Sequence, residues 1–563
     1  MNAQIILQRL ETDASSRQHG ILQINVDDTD TNAQRETTII VVVDLSGSMD
    51  DQGASSGKSR TRESKLDQLK FVLKNILRFI ANNTNGNVWF KLIGFNDIVF
   101  TIIPTKIITK DNLAEIIARI DEMYAADSTN IEKALIATHN NPVIPNCHIL
   151  VLSDGEATEG NTDPIELAKL VNPNATNSFL GFGLEHDPYM FNTLAATLNS
   201  SYFFIQDKEK AGIAYGEILY GALHNQYTGI VAVARNCELY DYKMGKWTDN
   251  LYIGRLASSD VKKYHIRKID DSNDVDVHID ILSEESAVIC SAQFDGSYNN
   301  LTEMMYRLRT LELLYKVAMF EKEKNVESDA DESDDDNFSI QRQNAIIVEA
   351  VEKPDNKTYD ERLTELKIVL KQLLCEMIEY MKTINDKQFI KNLCDDIAIV
   401  LKTIGTQYGE MLTYSRQHSQ GEERAHQVTN ISEIEDNIQR SGSGRNQHSY
   451  KRGASRASYD SDSDDELPVR ACLSAGPSST QVCSQIAYAA SSDSDEEEWE
   501  DDEEEEEENA QKASNGFCSV ERSPEPSSIN PVDDIIDNYD ISDNLETTCS
   551  QTKLFVIRSI SGN

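Results

Sequence analysis

Residues 37–51 read TTIIVVVDLSGSMDD. The run TIIVVV (38–43) is apolar and β-branched with no polar position at a period of two, so it predicts a strand buried on both faces, as in a parallel sheet covered by helices. It stops at Asp44, and Ser46 and Ser48 follow at alternate positions. In parallel α/β sheets ligands collect at the carboxyl ends of strands, where loops gather and helix N-termini point. A carboxylate at such an edge is costly without a partner.

Working outward, residues 38–224 alternate short apolar runs with amphipathic stretches of helical length. Further strands are expected at VWFKLIGF (88–95), IVFTIIP (98–104), HILVLS (148–153), SFLGFG (178–183) and SYFFI (201–205). In 66–80 the apolar residues Leu66, Leu69, Val72, Leu73, Ile76, Leu77 and Ile80 recur at the spacing of one helix face. Segments 113–120, 130–138 and 165–171 behave similarly, the last opening with Asp163 as cap and Pro164 in the first turn. Strands 88–95 and 98–104, joined by a short turn at Asn96 and Asp97, predict an antiparallel edge to an otherwise mainly parallel, doubly wound α/β sheet.

Two more loops carry oxygen donors at element ends: DSTNIEKAL, in which Thr129 opens a helix, and ILVLSDGEATEG, in which Asp154 ends a strand. Hydroxyls and carboxylates without His or Cys are hard donors suited to magnesium, calcium or manganese. D-x-S-x-S followed by a threonine and then an aspartate resembles the von Willebrand factor type A (VWA) domain with its metal-ion-dependent adhesion site. The resemblance covers about 36–224 and implies a Rossmann-like domain holding a divalent cation, magnesium first. It implies Ser46 and Ser48 as direct ligands, Thr129 as a direct or water-mediated one, and Asp44 and Asp154 mostly holding waters. An ion so ligated is electron-poor, and in this family its free position attracts a Glu or Asp of a protein partner. Two departures stand out: Asp127 and Ser128 replace the usual small pair before Thr129, and the loop after Met49 is long and charged.

Beyond the α/β unit, 225–300 alternates polar and apolar residues and predicts a small antiparallel β domain. Residues 1–35 read as an N-terminal extension. Residues 301–430 predict a helical region, with helices at 301–324, 361–384 and 387–404 around an acidic insert at 325–340. Residues 431–563, with 30 acidic and 10 basic side chains, read as a disordered acidic tail, except that TKLFVIRSISGN has the look of a short docking strand.

Over 563 residues, 53 Lys and Arg stand against 95 Asp and Glu, a net charge of −42. That balance argues against nucleic acid or an anionic membrane as partner and favours a basic surface for the tail. Nine cysteines lie without zinc-ligand spacing, and no secretory leader or membrane-length apolar run is present. The expectation is a protein inside the cell, cytoplasmic first, with nucleus or virion open. No Ser-His-Asp arrangement or phosphate loop is evident. The function expected is non-catalytic protein–protein interaction through the cation. Two alternatives stand beside it: an adaptor in ubiquitin transfer lacking its own zinc domain, and a magnesium-dependent phosphohydrolase with Asp44 as nucleophile. Ser46 stands where such phosphatases usually carry a second aspartate, which favours binding over chemistry.

Overall fold

The computed structural model describes residues 1–9, 18–28, 36–51, 63–139, 146–154, 157–206, 208–269, 276–294, 301–330, 357–424 and 551–561. The chain opens with strands β1 (Asn2–Arg9) and β2 (Gln18–Asn25). The α/β unit follows as β3 (Thr37–Asp44), α1 (Lys65–Asn83), β4 (Val88–Phe95), β5 (Val99–Ile107), α2 (Leu113–Asp121), α3 (Ile131–His139), β6 (Cys147–Ser153), α4 (Pro164–Ala168), β7 (Thr176–Phe182), α5 (Pro188–Ala195), β8 (Ser200–Ile205) and α6 (Lys208–Leu223).

Its sheet runs β5-β4-β3-β6-β7-β8, parallel throughout except for the β4–β5 hairpin at one edge. All eight residues of β3 are buried. Because successive side chains leave a strand on opposite faces, Ile39, Val41 and Val43 join the core with Leu69, Leu73 and Ile76 of α1. Ile40 and Val42 join the other with Leu135 of α3 and Phe191 of α5. This two-sided cover is why β3 carries an unbroken apolar run. From β3 the chain moves out to β4 and β5, then returns to place β6 on the other side of β3. The loops after β3 and β6 therefore diverge, and a crevice opens between them at the carboxyl edge.

The β domain contains β9 (Asn225–Arg235), β10 (Cys237–Asp241), β11 (Lys246–Thr248), β12 (Asn250–Ala257), β13 (Val261–Lys268), β14 (His278–Leu282), β15 (Val288–Ser291) and β16 (Gln293–Phe294). It is a sandwich of two sheets, β11-β10-β13-β2-β1-β16 and β12-β9-β14-β15. The segment 1–35, read as an extension, supplies β1 and β2: β2 pairs antiparallel with both β1 and β13. Ile5, Leu22 and Ile24 share one core with Ile230, Ile279 and Ile281, so the sandwich is closed by residues more than 200 positions apart.

Helices α7 (Thr302–Ala330), α8 (Tyr359–Met381) and α9 (Gln388–Thr403) occupy the predicted helical stretches and pack through Leu314, Val317, Leu370, Leu374, Leu393 and Ile397. A fourth, α10 (Gln407–Glu422), had no apolar stripe to announce it. It is enclosed on all sides, burying Glu410, Arg416, Gln417 and His418 as well as Tyr408, Met411 and Tyr414, which join the core of β7, β8 and α5. Its corner with α9 demands Gly409, where a Cβ would stand 2.1 Å from the Thr403 carbonyl oxygen.

The segment TKLFVIRSIS is a helix, not the docking strand its apolar run suggested: α11 (Gln551–Ser561). Val556 and Ile560, one helical turn apart and so on one face, are buried in the core beside α1 and α6. The Asn75 amide donates to the Ile560 carbonyl at 3.0 Å, and Lys553 Nζ pairs with Glu217 at 2.5 Å. That part of 431–563 is thus ordered. The rest of the acidic tail, and residues 331–356 of the insert region, lie outside the described residues. Replacing Ile560 with Ala is expected to cost about 1–3 kcal/mol, at or below the usual range for a buried large-to-small change because undocking of α11 caps the loss. A urea midpoint unchanged from the parent would contradict that docking.

Candidate metal centre

Asp44, the last residue of β3, is fully buried. Its Oδ1 accepts the Ser46 amide at 2.8 Å and its Oδ2 accepts the Ser153 hydroxyl from the end of β6. Leu45 and Met49 turn into the core, and the alternate residues Ser46 and Ser48 turn toward the crevice. Their hydroxyl oxygens lie 3.1 Å apart, and Ser48 donates to Asp154 Oδ1 at 2.8 Å. The chain here forms a short 3-10 turn, Gly47–Asp50, held by the Gly47 amide on the Asp127 carbonyl at 3.0 Å.

Thr129 arrives from the third loop. Its amide donates to the Thr158 hydroxyl at 2.9 Å, and its carbonyl accepts the amides of Thr158 and Glu159 at 2.9 and 3.1 Å. The loop after Asp154 thereby clamps the loop carrying Thr129. The structure brings Asp44, Ser46, Ser48 and Asp154 into one hydrogen-bonded cluster and sets Thr129 on the adjoining loop, its hydroxyl not bonded within that cluster. Asp127 takes a left-handed backbone, φ 67°, and its carboxylate accepts from the Asn96 amide at 3.2 Å, so that charge is engaged at the rim.

Residues 39–156 match the family pattern of the von Willebrand factor type A domain. The chain contains a VWA domain. Solved structures similar to it include a von Willebrand factor type A protein from Catenulispora acidiphila, 14% identical, TM-score 0.40, covering 53% of this chain and 76% of that one. Another is the ArnB paralog VWA2 from Sulfolobus acidocaldarius, 12% identical, TM-score 0.41, covering 75% of this chain and 99% of that one. BatB from Bacteroides thetaiotaomicron is 18% identical with TM-score 0.27, covering 33% and 98%. No curated protein matches the chain.

Two residues beside this cluster escaped the sequence reading. Lys65, the first residue of α1 and only 3% exposed, reaches Asp154 Oδ2 at 2.7 Å and Glu185 Oε2 at 2.9 Å. A lysine in the first turn of a helix opposes the macrodipole, and that misplacement was the available signal. Glu185 follows β7, on a loop held from beneath by His186. The His186 ring bonds the Gly183 carbonyl at 2.9 Å and the Tyr202 hydroxyl at 2.7 Å. Gly181 makes room for the ring, since a Cβ there would stand 2.2 Å from it. Burial, only partly offset by the Gly183 bond, pushes His186 down to about 4, so it is a satisfied neutral core histidine.

Burial pushes the Asp44 carboxyl up to about 6, with repulsion from Asp154 adding to it and the hydroxyls of Ser153 and Ser46 opposing. For Lys65 the pull of burial is outweighed by Asp154 and then Glu185, which hold its ammonium above the ordinary lysine value. Asp154 and Glu185 thus share the Lys65 ammonium while Asp44 is held by Ser46 and Ser153, and the side chains at the cluster that could ligate a metal offer oxygen. That set suits a hard divalent cation. Ser46, Ser48 and Thr129 would hold it, with Asp44 and Asp154 behind them. Among the described residues no group of three or more His, Cys, Asp and Glu side chains is placed to bind a metal. Ser153→Ala is expected to cost about 1–3 kcal/mol, the usual penalty for stripping a buried charged group of a hydrogen bond. Urea unfolding measures it, and an unchanged midpoint would show that Asp44 does not depend on Ser153.

Proposed function

We propose that the VWA domain binds a protein partner through a divalent cation, most readily magnesium, held at the crevice by Ser46, Ser48 and Thr129 with Asp44 and Asp154 behind them. Supporting this is the convergence of three loops on oxygen donors around two fully buried carboxylates, of which Asp154 pairs with Lys65 and Asp44 with Ser46 and Ser153. When bound, the cation supplies a Lewis-acidic position for a Glu or Asp of the partner.

The rim is suited to a protein surface. Tyr124 is 76% exposed and Ile98 55% exposed, on loops tied to the site through the Asn96 amide contacts to Ala126 and Asp127. Large apolar side chains standing in water beside a polar pocket are common where another protein docks. Asp44 as a nucleophile fits less well, because both its oxygens are engaged and it has no exposure. Among the described residues no helix is long and apolar enough to cross a membrane. We place the protein inside the cell on the chemistry of its thiols, the five described cysteines being free.

Calorimetric titration of magnesium into the full chain, beside the Ser46→Ala, Ser48→Ala double variant, tests the reading. Binding in the parent that falls at least tenfold in the variant is expected. Equal binding in both would remove the ion from this crevice.

A further inference from the structure

We propose that Lys65 sets the cation affinity of this site: its ammonium competes with the divalent ion for Asp154, and Glu185 is the acceptor that takes the ammonium when the ion binds. The proposal rests on the metal-binding reading above and adds two residues to it.

Asp154 has two oxygens. Oδ1 is taken by the Ser48 hydroxyl and Oδ2 by Lys65 Nζ, so an ion, or a water it carries, that approaches Oδ2 meets the ammonium there. Like charges a few ångströms apart in a buried site repel strongly, and the ammonium is fully protonated at neutral pH. Lys65 is thus a tethered cation already seated at the carboxylate the divalent ion would use.

Its second contact supplies the alternative. Nζ already reaches Glu185 Oε2 at 2.9 Å, so transfer means lengthening one bond while keeping the other. The two acceptors differ in environment: Asp154 is fully buried, whereas the Glu185 side chain is 66% exposed. A shift toward Glu185 moves positive charge out of the crevice and toward water, where it is screened.

Both ends of this relay are anchored. Ser64 and Asp67 form a reciprocal cap on α1, and the Lys65 amide donates to the Asp51 carbonyl at 3.0 Å, which fixes the lysine backbone against the site loop. The Glu185 loop is fixed by buried His186. Only the lysine side chain needs to move, and its four-carbon stem allows that.

The experiment is magnesium titration by calorimetry on the full chain and on Lys65→Met, Glu185→Gln and the double variant. Thermal midpoints in chelator and in magnesium are measured alongside. Lys65→Met is expected to bind magnesium at least tenfold more tightly, to melt lower in chelator, and to gain more from magnesium than the parent does. Glu185→Gln is expected to bind several-fold more weakly. The double variant is expected to match Lys65→Met, because Glu185 acts through the lysine; a double variant much weaker than Lys65→Met would mean that Glu185 attracts the ion directly and would overturn the relay. Lys65→Gln, which keeps a donor to Asp154 without the charge, replaces Lys65→Met if that variant does not fold. Parent binding with unchanged or weaker affinity in both lysine variants would overturn the proposal while leaving the metal site standing. Silence in all four proteins would overturn the metal site itself and the proposal with it.

Discussion

The hydrogen bonds that hold the Asp44 carboxylate with no exposure at the end of the central strand are the constraint on which the site depends. A buried carboxylate is tolerated only when its oxygens are engaged, and here Ser153 reaches across from β6 while the Ser46 amide folds back from the loop. These bonds tie together the two strands that flank the crevice and give the D-x-S-x-S segment its direction. Leu45 and Met49 anchor that segment in the core, so Ser46 and Ser48 have one way to face. The geometry of the site is thus a consequence of core packing beneath it.

Other described elements pack against this α/β unit. Helix α10 packs against α5 and β8, with the Tyr408 hydroxyl on Gln206 at 3.0 Å. Helix α11 lies on the opposite face of the sheet, against α1 and α6. The same α1 whose first residue reaches Asp154 thus has, further along, the groove that seats the end of the chain. Among the residues joining the sandwich to the unit is Arg255, whose guanidinium meets Nδ1 of the buried His148 of β6. Desolvation, reinforced by Arg255, holds that histidine well below its ordinary pKa, so it acts as a neutral acceptor.

Much of this was legible in the amino-acid order where local patterning and tertiary environment agree. A strand covered on both faces must be apolar throughout, so β3 and β6 stand out, and every residue of the stripe on α1 is buried. Where a helix is buried all round, its polar residues find partners inside the protein and the stripe disappears, as in α10. Four consecutive apolar residues satisfy strand and helix alike, and only the groove between α1 and α6 decides that α11 is a helix. Strands β1 and β2 read as an extension because their partners β13 and β16 lie far along the chain, and pairing over such distances leaves no local trace.

By itself the sequence determined the α/β class and the hairpin edge, and it pointed to Asp44, Ser46, Ser48, Thr129 and Asp154 as oxygen donors on loops, because strand ends and helix starts are written in neighbouring residues. Only the tertiary structure decided that Lys65 and Glu185 belong beside them. Their place depends on how α1 and the loop after β7 meet at the sheet edge, and 120 residues separate Lys65 from Glu185. Charge balance in a buried site is a property of three-dimensional neighbours, since Coulomb energy depends on separation in space and on the surrounding medium, neither of which sequence order records.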